Sequence, residues 1–199
     1  MHYISDILYW ISTGLLVPVI VLLILLFARA LLLIGGFFGQ YVSVRKVEKI
    51  LTTEFGNLTK DNVKTLSERL PKTGNSLVLN YIRQLLEHSD SEAHMQKALS
   101  DFEIAAATDL SSCKMLAKMG PMLGLMGTLI PMGPALVGLS TGDIASMAYN
   151  MQVAFATTVV GLFSAAIGFV TGQVKTRWYG QDRANLQFLA DLLTSDNHA

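Results

Sequence analysis

Three long uncharged runs constrain the fold of this chain more than any other feature of its sequence. Residues 7–28, 119–142 and 144–174 contain no Asp, Glu, Lys or Arg. Each run is longer than the roughly 20 residues that an α-helix needs to cross the hydrocarbon core of a bilayer. A chain of 199 residues leaves no soluble body large enough to bury three such helices. The sequence therefore predicts an all-α integral membrane protein with three transmembrane helices surrounded by membrane lipid.

Composition and the N-terminal segment support this interpretation. Half of the residues are apolar (51%) and the formal net charge is zero, which excludes the basic surface that a nucleic-acid-binding protein needs. The first run could alternatively be a secretory signal peptide. Residues 1–6 contain no Lys or Arg, however, and the run is too long for the apolar part of such a peptide. We therefore interpret it as a membrane helix.

The distribution of basic residues predicts the orientation. Residues 40–118 carry eleven of the fifteen Lys and Arg, whereas residues 1–6 and 140–143 carry none. Because cytoplasmic loops are enriched in Lys and Arg, we expect the N-terminus outside and the C-terminus in the cytoplasm. The predicted boundaries are 1–39 for the outside N-terminus and first transmembrane helix, 40–118 for a helical cytoplasmic domain, 119–142 for the second transmembrane helix and a short outer turn, 143–174 for the third transmembrane helix, and 175–199 for a cytoplasmic tail.

Local signals predict how these helices begin, bend and end. Arg29 ends the first run, and we expect its side chain to reach the membrane interface while the helix continues to a bend at Gly35 and Gly36. Ser89 followed by Glu92 has the spacing of a capping box. After it, apolar residues recur every three or four positions without a breaker until residue 120, so the second transmembrane helix is expected to extend far into the cytoplasmic domain. Between residues 55 and 77, Pro71 and Gly74 predict a break.

No motif for enzyme chemistry occurs in the chain. The sequence has no phosphate-binding glycine loop with Lys, no HExxH, no CxxC and no GxSxG, so we expect neither an enzyme nor a cofactor. His88 and His94 are six residues apart and cannot share one helical face, which argues against a metal site. The lone Cys113 excludes an intramolecular disulfide and is expected to be a buried small residue.

Small residues form a continuous seam on each of the last two spans. Membrane helices approach closely only where small side chains line the contact, because no hydrophobic force acts between helices in lipid. The residues expected to pack the helices or line a pore are Gly124, Gly127, Pro131, Ala154, Gly161, Ala165 and Gly168. The seams predict a close hairpin of the second and third spans.

Prolines and hydroxyls add polar groups to this hairpin. Pro121, Pro131 and Pro134 lack an N–H, so carbonyls one turn earlier must be satisfied inside the protein or face a polar cavity. Thr128 lies among these prolines, and its hydroxyl is a candidate to bond one of the freed carbonyl groups.

Two further hydroxyls, those of Thr157 and Thr158, lie on the third span. A single Thr in a membrane helix usually bonds its own backbone, which is the packing interpretation. Together with Thr128, three hydroxyls in glycine-lined spans can instead form a polar ring or a narrow pore. Thr157 and Thr158 lie about 100° apart around a helix, so Thr157 can alternatively face a neighbouring subunit.

The two segments GPMLGLMGTLIPMG and AFATTVVGLFSAAIGF resemble the paired pore-helix motifs of the MotA/TolQ/ExbB proton-channel family. The order of spans and loops is similar too, and three spans resemble the TolQ and ExbB branch more than four-span MotA. The resemblance implies a homopentamer around two single-span helices of a partner from the MotB/TolR/ExbD group, in a bacterial or archaeal cytoplasmic membrane. It also implies that a membrane Asp of the partner carries the ion, while Thr128 and Thr158 line its path.

Two positions depart from the family pattern. Val153 stands where TolQ and ExbB members commonly have a glutamate, and Pro131 stands where relatives more often have glycine. An adjacent pair such as Thr157 and Thr158 resembles sodium-driven members, so proton and sodium both remain candidate ions. The expected function is a channel subunit of an ion-driven membrane motor that moves a single-span partner. The alternative is a non-conducting scaffold whose seams only hold a membrane complex together.

Overall fold

The structure is a computed structural model that describes residues 2–56, 76–89 and 91–197. Within these residues it is almost entirely helical and contains no strand. The helices are α1 (His2–Gly14), α2 (Leu16–Gly56), α3 (Leu77–Glu87), α4 (Glu92–Thr141) and α5 (Ile144–Asn197). Three stretches, within residues 7–45, 92–141 and 144–195, are long and apolar enough to cross a membrane. The predicted all-α fold is confirmed for the described residues, and each predicted span lies in one of the three stretches that are long and apolar enough to cross a membrane.

The first span is not one continuous helix, which the sequence analysis did not predict. A turn at Leu15 separates α1 from α2. Pro18 has no N–H, so it cannot bond the carbonyl of Gly14 and the helical pattern is interrupted there. The pattern resumes where the N–H of Val19 donates to the carbonyl of Leu15 at 3.1 Å. Gly35 and Gly36, where a bend was expected, both lie within α2.

Helix α4 runs without a break from Glu92 to Thr141, as predicted, although it contains three prolines. The capping box that starts at Ser89 is wrong, because the helix begins at Glu92, directly after Ser91. The carbonyl of Ser91 accepts the N–H groups of His94 and Met95, each at 3.1 Å. The break predicted at Pro71 and Gly74 lies outside the described residues.

The chain divides into two compact units. We call Met1–Ile34 with Ser112–Gly172 the membrane unit, and Gly35–Ser111 with Gln173–Ala199 the second unit. In the membrane unit, four α2 residues pack on the α4–α5 hairpin: Val19, Leu23, Leu26 and Ala30. Their partners include Leu116 and Leu123 of α4 and Ile167 of α5. One face of α2 therefore lies against the hairpin, and Phe27 extends this contact to Phe163, with ring centroids 6.1 Å apart.

The second unit has a core of larger side chains. Helix α3 buries Val78, Leu79, Ile82 and Leu85, which recur at helical spacing on one face. They belong to one cluster with Phe102 of α4 and with three leucines of α5, namely Leu186, Leu189 and Leu193. Helix α3 is thus stabilised by burial of its apolar stripe. A side-chain cap does not contribute, since the side chain of Ser76 makes no capping hydrogen bond.

Candidate functional site in the membrane unit

The hairpin of α4 and α5 is built by backbone contact at its glycines. A Cβ atom added to Gly161 would lie 2.6 Å from the carbonyl oxygen of Gly120 and 3.0 Å from Cα of Gly124. One added to Gly168 would lie 2.7 Å from the carbonyl oxygen of Cys113. Atoms that close belong to the facing backbone and cannot move aside as a flexible side chain could. Only glycine fits at these two positions, and the close approach fixes the register of the two helices.

A tight turn sets the same register at the end of the hairpin. Gly142 adopts φ +78°, a left-handed conformation that favours glycine. The next residue, Asp143, donates its N–H to the carbonyl of Gly138 at 2.8 Å. Its carboxylate accepts the N–H of Ser146 at 3.0 Å and so caps the start of α5. The one carboxyl group in residues 112–172 is therefore occupied at the turn.

Thr157 lies inside the hairpin. Its side chain is 9% exposed and sits opposite Gly127, where an added Cβ would be 2.6 Å from Cβ of Thr157. Its hydroxyl donates to the carbonyls of Val153 and Ala154, at 3.0 and 2.9 Å. Thr157 thus packs on α4 of the same chain, and the alternative in which it faces a neighbouring subunit is wrong.

Thr128 and Thr158 are both half-buried, in contrast to Thr157. At 100° per residue, Thr128 lies about 140° around α4 from Leu123, which contacts α2. In the same way Thr158 lies about 180° around α5 from Ile167, another α2 contact. The two threonines are therefore on the sides of their helices that point away from α2. We call this side of the hairpin its free side.

The hydroxyl of each free-side threonine bonds its own helix. Thr128 donates to the carbonyl of Leu125 at 2.7 Å, and Thr158 donates to the carbonyl of Ala154 at 3.1 Å. The expectation that Thr128 bonds a carbonyl freed by a proline is wrong, because Pro131 frees the carbonyl of Gly127 instead. A hydroxyl that has donated its hydrogen keeps lone pairs as an acceptor. Both oxygens can therefore accept a proton-bearing group or coordinate a cation.

The other residues singled out from the sequence lie in the packed part of the hairpin. Pro131, Ala154 and Ala165 are buried. Gly124 is less crowded than Gly161, since an added Cβ would meet Cα of Thr158 at 3.5 Å, an ordinary contact. The predicted set thus separates into a packed seam and two half-buried hydroxyls beside it.

Sequence reasoning missed one hydrogen bond in the membrane unit. Arg29 was expected only to reach the interface, but its guanidinium donates to the hydroxyl of Ser112 at 3.0 Å. This bond joins α2 to α4 within the unit. No local pattern in the sequence indicates it, because the two residues are far apart along the chain.

A partly buried polar cluster in the second unit was also missed. The ammonium of Lys175 lies 2.7 Å from Oδ2 of Asp109, and the Tyr179 hydroxyl donates to the same oxygen at 2.6 Å. Gln40 of α2 donates to the Tyr179 hydroxyl at 3.4 Å. A signal was present, since Lys175 follows Gly172 by three residues on the seam face of α5. A charge on a packed face requires a partner from the facing helix.

The sequence that forms the hairpin matches a known protein family. A model of the MotA/TolQ/ExbB proton channel family matches residues 62–184, more than half of the chain. The match includes all of α4, α5 as far as residue 184, and all three threonines. No curated protein is similar enough to the chain to count as a match.

Proposed function

The chain belongs to the MotA/TolQ/ExbB proton channel family, and we propose that it is the channel subunit of an ion-driven, stator-like membrane complex. In this proposal ion flow is coupled to movement of a partner with a single membrane span. The family is a family of channels and not of enzymes. Three apolar helices make the chain a multi-pass membrane protein. The proposed location is the bacterial or archaeal cytoplasmic membrane, with the N-terminus outside.

The observation that carries the proposal is the position of Thr128 and Thr158. Both hydroxyls are half-buried on the free side of the hairpin, and each retains acceptor lone pairs. Their neighbours on this side are large apolar residues such as Leu125 and Phe155, which are exposed. On an otherwise apolar surface, these two oxygen atoms can form polar contacts with an ion or a carboxyl group that moves along it.

A partner must supply the group that carries the ion. A carboxyl group is the usual proton carrier in a low-dielectric region, and the one carboxyl group in residues 112–172 is that of Asp143, which caps α5 at the turn. We propose that a membrane Asp on a single-span partner of the MotB/TolR/ExbD kind passes Thr128 and Thr158. A homopentamer around two such helices, as the family resemblance implies, would place the free sides of five hairpins around the partner.

The position of Thr157 favours a proton over sodium. A sodium ion needs several oxygen ligands, whereas a proton needs only an acceptor and a relay. Because Thr157 is buried against Gly127, its hydroxyl does not add a second oxygen beside Thr158 on the free side. In the proposed ion pathway, Thr157 serves as the contact that holds α5 in register. Flux that requires sodium at a fixed proton gradient would contradict the proton assignment.

The test replaces both free-side threonines by valine, which keeps the shape and removes the hydroxyl. We expect vesicles that contain the Thr128→Val, Thr158→Val double variant and the single-span partner to lose ion flux, with pentamer content unchanged on the same sample. Thr171→Val is the matched control, because Thr171 lies in α5 like Thr158, is buried, and bonds the carbonyl of Ile167 at 2.6 Å. Vesicles that contain this control variant should keep their ion flux. Normal flux through an assembled double variant would contradict the proposal.

One observation favours the alternative function, a non-conducting scaffold. All three threonine hydroxyls donate to carbonyls of their own helix, which is what hydroxyls do when they serve packing alone. In that case the double variant would lose only about 0.6 kcal/mol per hydrogen bond and no transport function. The scaffold hypothesis also predicts that vesicles containing the native complex conduct no more ions than empty vesicles. Flux through the native complex therefore distinguishes the two functions before any variant is made.

A further inference from the structure

Two histidine rings meet at the connection between α3 and α4 in the second unit. His88 follows the last residue of α3, and His94 lies in the first turn of α4. Their ring centroids are 5.4 Å apart and their planes differ by 23°. The sequence argument against a metal site assumed that both residues would need one helical face. That argument is wrong, because the turn between two helices brings the rings together.

The hydrogen bonds of these rings determine which nitrogen atoms are available. Nδ1 of His88 lies 3.2 Å from the carbonyl oxygen of Gln84. A carbonyl only accepts, so this Nδ1 carries the hydrogen and Nε2 holds the lone pair. Nδ1 of His94 lies 2.9 Å from the hydroxyl of Ser91, which can accept in the same way. Metal-binding histidines usually have this arrangement, with one ring nitrogen donating to a protein oxygen and the other facing the ion.

The separation of the two stacked rings is one at which two imidazoles can bind the same ion. With metal–nitrogen bonds of about 2.0–2.1 Å, two imidazoles on one tetrahedral ion have centroids about 5.3 Å apart. The observed value is 5.4 Å. Both side chains are exposed, so an ion can reach them from solvent. The backbone N–H of His88 donates to the carbonyl of Gln84, and the carbonyl of His88 accepts the N–H of Ser91, each at 3.2 Å.

We propose that His88 and His94 form a two-histidine binding site for a first-row transition-metal dication, with Zn²⁺ as its probe. Imidazole nitrogen suits such ions, whereas Mg²⁺ and Ca²⁺ prefer oxygen. In the part of the chain that the structure describes, no group of three or more His, Cys, Asp or Glu side chains is arranged to hold a metal. Water completes the coordination, and the ion is exchangeable. Its binding links the end of α3 to the start of α4 and stabilises the connection.

The experiment uses the full chain in detergent, purified without a polyhistidine tag, and titrates it with Zn²⁺ by calorimetry. We expect saturable binding of about one Zn²⁺ per chain. His88→Gln and His94→Gln should each weaken binding at least about tenfold. The matched control is His2→Gln with His198→Gln, which removes the other two histidines and should leave the affinity unchanged. An equal concentration of Mg²⁺ should not compete.

A second measurement needs no variant. Zn²⁺ should protect His88 and His94 of the wild-type chain, but not His2, from carbethoxylation by diethyl pyrocarbonate, as read by peptide mass spectrometry. The proposal is overturned if wild-type protein binds no Zn²⁺, if both histidine variants bind as tightly as wild type, or if protection is equal at all histidines. None of these outcomes bears on the proposed channel function, which rests on Thr128 and Thr158.

Discussion

Helices α4 and α5 contribute to both units of the molecule, yet they pack in two different ways. In the membrane unit their contact is made by glycine, and backbone atoms of Gly161 face backbone atoms of Gly120 and Gly124. In the second unit it is made by large side chains, with Phe102 and Leu186 fully buried. Burial of apolar area drives packing by about 25 cal/mol per Å² in water but not between helices in lipid. In hydrocarbon, close approach of the two helix backbones therefore takes the place of the packing of large side chains.

Polar groups show a related difference, although Arg29 and Ser112 also bond across helices in the membrane unit, at 3.0 Å. The membrane-unit hydroxyls of Thr128, Thr157 and Thr158 bond carbonyls of their own helix. In the second unit, side chains bond one another across helices, as Lys175 and Asp109 do at 2.7 Å. A helix in lipid must satisfy its polar groups locally unless a neighbour is held rigidly in place. The hydroxyl hydrogens of the free-side threonines are therefore satisfied without a partner on another helix, which leaves the oxygen lone pairs available.

The largest effect is expected from filling the glycine seam. Gly161→Leu would force side-chain atoms into the space held by backbone atoms of Gly120 and Gly124, at 2.6 and 3.0 Å from the first added carbon alone. We expect the hairpin to separate and the proposed homopentamer to be lost, because overpacking in a region that cannot relax exceeds the usual cost of about 1–3 kcal/mol. Size-exclusion chromatography in mild detergent measures the loss.

The control for this prediction lies on the same helix. Gly180 is in the second-unit part of α5, and a Cβ added there meets nothing within 4 Å. Gly180→Leu should therefore assemble as wild type does. Equal chromatographic profiles for the two leucine variants would contradict the idea that backbone contact holds the membrane unit together.

A smaller effect is expected from the ion pair of the second unit. Asp109→Ala leaves the ammonium of Lys175, whose side chain is 9% exposed, without its carboxylate. Because Asp109 itself is 42% exposed and water can reach the site, we expect a loss of about 1–3 kcal/mol rather than the full cost of a buried charge. Hydrogen exchange of the α4 and α5 amides around residues 109 and 175 measures the local free energy of opening.

A double variant separates the charge from the packing. Asp109→Leu combined with Lys175→Met replaces the pair with apolar groups of similar size, and we expect it to recover part of the stability that Asp109→Ala loses, since the buried Tyr179 hydroxyl still lacks its acceptor. A double variant less stable than the single one would show that the unpaired ammonium of Lys175 is tolerated better at this site than the apolar pair. Charged groups would then contribute more to the stability of the second unit than the comparison of the two units assumes.

The features that were predictable from sequence are those that depend on one helix at a time. Long uncharged runs and small-residue spacing predict the spans and the hairpin seam, because residues that share one face of a helix recur every three or four positions in the sequence. The pairing of Asp109 with Lys175 and the meeting of His88 with His94 depend on which elements come together, and one sequence does not contain that information. Pro18 was a local signal for the interruption between α1 and α2, but the uniformly apolar run around it was interpreted as one continuous helix.

The smallest effect is expected at Thr157, where the two interpretations of the membrane unit give different results. Its hydroxyl bonds two carbonyls of its own helix, and its methyl-bearing carbon lies against Gly127. Thr157→Val keeps that contact and removes hydrogen bonds worth about 0.6 kcal/mol each, so assembly and ion flux should both stay near wild type. Flux in vesicles, with oligomer content measured on the same sample, is the test. If Thr157→Val abolished flux and left the oligomer intact, the hydroxyl of Thr157 itself would belong to the ion path. Its burial against Gly127 would then have to open during transport, and the sodium assignment would regain its second oxygen.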